Sequence, residues 1–182
     1  SDKDTVINFT NHTYFNLSGS AMSDVLGHVL KLNAKKFTPT DEDSIPTGQL
    51  RSVFNTPFDF TNPTSIGKRI HDRDAQLVMC RGYDHNFCLD HVDGEADAVV
   101  YEPVSGRQLK VYTDLPGVQL YTGNFLDGTI IGKGGIPLIQ HAGFCLETQY
   151  YPDTPNHPDF PQCTFKAGEE YKSKTTFEIN VF

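Results

Sequence analysis

Apolar and polar residues alternate one for one in short runs along most of this chain. That period of two restricts it to β-strands with one buried face and one wet face. The final run is the clearest case: Phe177, Ile179 and Val181 share one side, and Thr176, Glu178 and Asn180 the other. By the same reading Thr5–Leu17, Gly27–Ala34, Arg81–Asp90, Ala96–Glu102, Arg107–Thr113, Val118–Thr122, Phe144–Tyr150 and Thr175–Phe182 are strands. Pro103-Val104-Ser105-Gly106 joins two of them as a hairpin turn. The 15 glycines and 11 prolines suit many short strands better than long helices. One short helix is expected over Ser65–Asp74, with Ser65 as its N-cap, and Thr38–Gly48 and Tyr151–Pro161 read as long loops. At 182 residues the chain has material for one sizeable core, and it contains no internal repeat or linker. The expectation is a single all-β unit without an internal boundary, a sandwich or part of one.

Charge and composition exclude several functions. Fifteen basic against 23 acidic residues give a net charge of −8, which repels phosphate backbones and argues against nucleic-acid binding. No run approaches the ~20 apolar residues of a membrane helix. Four cysteines, Cys80, Cys88, Cys145 and Cys163, are too few to staple a chain with 13 Phe and 8 Tyr, so reduced thiols and a cytoplasmic location are expected. Three glycosylation triplets begin at Asn8, Asn11 and Asn16 and would matter only in a secreted protein. The chain opens without Met and enters a strand-like run within a few residues, as a fragment or a processed product would.

The wet faces hold the chemistry. His12, Asp84, Gln119 and Glu147 each interrupt an apolar run and project from its opposite side, His12 with Tyr14, Asp84 with Asn86, and Glu147 with Gln149. The residues alone leave two readings open: one sheet face is simply wet, or four strands offer His, Asp, Gln and Glu to a polyol-binding site with an acid–base pair. Cys80, His85, Cys88 and His91 lack a metal-ligand spacing, and on one strand the cysteines would face away from the histidines. Gly132-Lys133-Gly134-Gly135 is an ordinary turn, because Pro137 stands where a dinucleotide loop needs glycine.

Four segments, Thr10–Leu17, Gly82–Phe87, Pro116–Gly128 and His141–Gln149, in this order and spacing, resemble the aldose 1-epimerase family. The resemblance runs through the whole chain but covers only the C-terminal half, or slightly more, of the family's large antiparallel β-sandwich. It implies that His12 is the general acid that protonates the pyranose ring oxygen and Glu147 the general base at the anomeric hydroxyl. It further implies that Asp84 and Gln119 bind the sugar's hydroxyls. No cofactor and no metal are implied, because only protons move; the implied partners are a monosaccharide and the missing N-terminal part of the same domain. The chain departs from the family pattern in lacking the Arg and second His that the N-terminal half contributes. A non-catalytic carbohydrate-binding sandwich is the alternative, and a glycosidase using Asp84 and Glu147 is a more distant one.

Overall fold

Two five-stranded antiparallel sheets share one apolar core in the computed structural model, which describes residues 1–20 and 22–182. In chain order the elements are β1 (Thr5–Val6), β2 (Val29–Leu32), β3 (Lys36–Phe37), β4 (Arg51–Ser52), β5 (Thr64–Ser65), helix α1 (Ala75–Cys80) and β6 (Asp84–Cys88). There follow β7 (Ala98–Tyr101), β8 (Arg107–Thr113), β9 (Gly117–Tyr121), β10 (Cys145–Gln149), β11 (Thr164–Phe165) and β12 (Thr175–Val181). The first sheet runs β10-β9-β6-β3-β4 and the second β12-β8-β7-β2-β5, while β1 pairs with β11. The hairpin at residues 103–106 joins β7 to β8, and Gly106 closes it at φ +70°, a conformation that favours glycine. No helix among the described residues is long and apolar enough to cross a membrane.

Alternation puts Leu30, Leu32, Val100, Leu109 and Val111 of the second sheet against Phe37, Phe87, Val118, Leu120 and Leu146 of the first, all fully buried. An aromatic cluster seals one end of this core. Phe37 stacks on Phe58 with centroids 4.2 Å apart, and Phe58 meets Tyr83 and His85 edge-on at 5.6 and 4.8 Å. His85 is the polar exception on this face. Its Nδ1 accepts from the Asp84 N–H at 3.1 Å, so Nε2 bears the proton and donates to Gln76 Oε1 at 3.2 Å. Burial holds its pKa down to about 3, so the folded ring stays neutral. An unfolded histidine charges near about 6.5. His85 therefore removes stability progressively as the pH falls from that value toward about 3.

Three expectations need correction. The helix starts ten residues later than expected: the Ser65 side chain makes no cap bond, and only one 3-10 turn, Ile66–Lys68, follows it. The helix proper is capped by Asp74, which accepts from the Gln76 N–H, and is closed by Arg81 in the left-handed region. Consequently the expected strand Arg81–Asp90 begins only at Asp84. The expected strand Thr5–Leu17 forms a ladder only at Thr5–Val6 and a single bridge at Phe15; between these Ile7 bonds Cys163 and Asn8 bonds Tyr150, but no ladder forms, and Phe9 is exposed. In β12 the alternation holds, with Phe177 packed on the core, but Ile179 and Val181 on the same side lie uncovered.

Phe58→Ala is expected to cost about 3–5 kcal/mol by opening the aromatic cluster. Asp74→Ala should cost about 1 kcal/mol through the lost cap. Urea unfolding checks both, and a Phe58 effect no larger than the Asp74 effect would contradict the packing described.

Candidate active site

Directly opposed residues of an antiparallel ladder share a face, so the register of β9 between β6 and β10 builds a grid of side chains. One row is Glu147, Gln119 and Asn86; the next is Cys145, Tyr121 and Asp84. A third row, Gln149, Gly117 and Cys88, closes the grid. The reverse face carries Leu146, Leu120 and His85 into the core, so a slip by one residue would exchange the two sets. Gly117 is required by close approach. A Cβ there would collide with Asn86 Oδ1 and stand 3.0 Å from the Tyr151 ring, which packs with Cys88 and Phe160 to cap this end.

The polar rows are wired together. Gln119 Nε2 donates to Asp84 Oδ1 at 2.8 Å, and Gln149 Nε2 donates to Gln119 Oε1 and Asn86 Oδ1, each at 3.2 Å. These bonds fix the amide orientations and leave Asn86 Nδ2 a buried donor without a protein partner. Amide and carboxylate groups held in this way are preset to bind hydroxyls.

His12 reaches the grid from outside the sheet. Asn8 exchanges two side-chain bonds with the backbone of Tyr150, at 2.9 and 3.0 Å, and Phe15 exchanges two backbone bonds with Phe144, at 2.8 and 2.9 Å. The strap between these anchors runs antiparallel along the outer edge of β10, and the Phe15–Phe144 register extrapolates His12 onto Glu147. The side chains bear this out, with His12 Nε2 3.3 Å from Glu147 Oε1. The ring lies 5.2 Å from Tyr14, stacked, and 6.2 Å from Tyr121, edge-on. It remains half exposed, while the Glu147 side chain is 10% exposed.

Burial governs the electrostatics. It pushes the Glu147 carboxyl above the usual glutamate range; His12 opposes that shift and Asp84 adds to it. Asp84 is raised by burial too, against the Gln119 hydrogen bond and the His12 ring. Burial and the same two carboxylates raise the Cys145 thiol, and the Tyr14 hydroxyl is pushed up to about 12, chiefly by burial.

The structure brings His12, Asp84, Gln119 and Glu147 to one face. It also adds Asn86, Tyr121, Cys145 and Gln149, which side-chain parity alone places there, and Tyr14, which flanks His12. Cys80, His85, Cys88 and His91 do not come together. Cys80 ends α1, His85 lies in the core, Cys88 sits under Tyr151, and His91 pairs with Asp97 at 2.7 Å. The carboxyl resonance of Glu147, followed by NMR through a pH titration, should report a pKa above the ordinary value of about 4.3. Asp84→Asn should lower that pKa and His12→Asn should raise it; the opposite signs would refute this electrostatic account.

Comparison with known proteins places the chain among others. The sequence model of the aldose 1-epimerase family matches residues 1–178. Galactose mutarotase from Bos taurus is 47% identical over 178 residues, 97% of this chain and 51% of that protein. Aldose 1-epimerase from Escherichia coli K12 is 42% identical over 182 residues, 98% of this chain and 52% of that protein. The crystal structure of a galactose 1-epimerase from Lactobacillus acidophilus superposes with a TM-score of 0.85 at 30% identity, covering 100% of this chain and 51% of that one. The chain thus spans about half the length of the curated relatives it matches.

Proposed function

The chain belongs to the aldose 1-epimerase family, and from that premise we propose that it supplies the acid–base half of an enzyme interconverting the α and β anomers of free aldohexoses such as galactose and glucose. The observation that carries this reading is the 3.3 Å approach of the His12 imidazole to the Glu147 carboxylate on the face that also holds the hydrogen-bonded Asp84 and Gln119.

The two oxygens to be served, the ring oxygen and the C1 hydroxyl, are bonded to one carbon, so acid and base must occupy one small neighbourhood. Glu147 removes the proton of the C1 hydroxyl while His12 gives its Nε2 proton to the ring oxygen. The C1–O bond of the ring breaks with its electron pair passing to that oxygen, and C1 becomes the aldehyde carbonyl. Rotation about C1–C2 followed by the reverse transfers closes the opposite anomer. Asp84 and Gln119 hold the remaining hydroxyls and orient C1 toward Glu147. The contact between His12 and Glu147 opens to admit the sugar, and the half-exposed ring is the member free to move.

Further features support a preceding segment of the same domain as the partner that completes the site and contributes the missing His and Arg. Phe125, Ile130, Ile131 and Ile139 are exposed, as are Ile179 and Val181 on β12. A cleft of about 450 Å³ lined by Tyr14, Phe15, Leu126, Ile130 and Leu138 adjoins the His12 strap. Cys80, Cys88, Cys145 and Cys163 are buried free thiols, which supports a reducing, cytoplasmic compartment.

Polarimetry on freshly dissolved α-galactose, using the complete polypeptide, tests the reading. Glu147→Gln and His12→Asn should each slow anomer interconversion by at least ~10²-fold, with sugar affinity changed much less. The acid limb of the rate profile should lie above the ordinary glutamate pKa, because the base is active only when ionised and burial raises its pKa. A Glu147→Gln protein with wild-type rate would overturn the assignment, and intact sugar binding with no catalysis in the wild type would favour a binding module.

A further inference from the structure

The Cys145 thiol takes no part in the chemistry above, yet it stands beside both groups that do. Its Sγ lies 3.5 Å from His12 Nδ1, and one ligand atom from each of His12, Cys145 and Glu147 falls within 4.8 Å of the other two. Imidazole nitrogen, thiolate sulfur and carboxylate oxygen are the donor types that zinc-class ions take. At ordinary Zn–S and Zn–N lengths a tetrahedral ion holds its sulfur and nitrogen ligands about 3.6 Å apart, close to the separation found here. Cys145 and Glu147 are two residues apart on one strand and project from one face, locked by pairing with Tyr121 and Gln119. His12 crosses the strand edge on its strap, half exposed, so its ring can turn toward either ligand and solvent can fill a fourth position.

We infer that His12, Cys145 and Glu147 bind a divalent ion of the zinc class, and that the ion and a sugar exclude one another because they use the same imidazole and carboxylate. On binding, the Cys145 S–H bond breaks, an S–metal bond forms and the proton passes to the buffer; no electron is transferred. A dication also offsets the negative charge that Asp84, Glu147 and a thiolate would otherwise concentrate in a buried space. Inhibition rests on the mutarotase reading, whereas the metal site itself does not: the ion would bind whatever the chain does with sugars.

Titration of the protein with Co²⁺ tests this directly, since a cobalt–thiolate bond gives a near-ultraviolet charge-transfer band. One ion per chain is expected, displaced by Zn²⁺, with the band absent in Cys145→Ser. Calorimetry should show Zn²⁺ binding weakened at least ~10-fold in Cys145→Ser and in Glu147→Gln, with circular dichroism confirming that each variant is folded. Zn²⁺ should slow anomer interconversion by the complete polypeptide competitively with galactose and reversibly with chelator. No charge-transfer band, or Zn²⁺ affinity unchanged by both substitutions, would overturn the inference. Metal binding without mutarotation would leave it standing while removing the proposed function, and mutarotation without metal binding would do the reverse.

Discussion

The register of β9 is the constraint from which the rest of the site follows. Gln119 lies directly between Asn86 on one side and Glu147 on the other, and the same two ladders align Tyr121 with Asp84 and Cys145. Because a strand reverses its faces every residue, this pairing also decides that Leu120, Leu146 and His85 enter the core. Packing and chemistry are therefore not separate requirements here. The apolar side of the ladder supplies the energy that holds the polar side in position, and Gly117 keeps the third row shallow enough for Tyr151 to cover it.

Holding carboxylates in this way is costly. Glu147 and Asp84 are both raised by burial and stand near enough for Asp84 to raise Glu147 further. For a carboxyl whose folded pKa is raised, stability is fully present below the unfolded value and falls as the pH rises through the folded one. The site thus weakens the fold at neutral pH. The hydrogen bond from Gln119 to Asp84 and the proximity of His12 return part of that loss. A group retained under such a penalty is better explained by chemistry than by architecture.

Much of this was legible in the residues. Strict alternation around Asp84, Gln119 and Glu147 placed all three on the face away from the core, and β6, β8, β9, β10 and β12 formed close to where alternation put them. The family resemblance implied roles on which parity is silent, since alternation tells which side a residue takes and nothing about which strands become neighbours. The failures have local physical causes. Ser65 follows Pro63 and looks like a cap, but Asp74 makes the cap bond and Arg81 closes the helix in the left-handed region. Residues 7–15 alternate as a strand should, yet no ladder forms along them: Ile7 bonds Cys163, and the backbone beside β10 is bonded only at Asn8 and Phe15. Two-residue strands such as β3, β4, β5 and β11 carry no periodic signal to read.

That strap anchors His12 and Glu147 unequally. The carboxylate rides on a strand stitched into a sheet, whereas the imidazole hangs from a span pinned only at its ends. In the proposed reaction the α and β anomers present their hydroxyl from different directions around the same carbon, so the groups that serve it must meet both. In the proposed reaction, a firm seat on one side and a yielding one on the other would let a single pocket accommodate two shapes of one molecule.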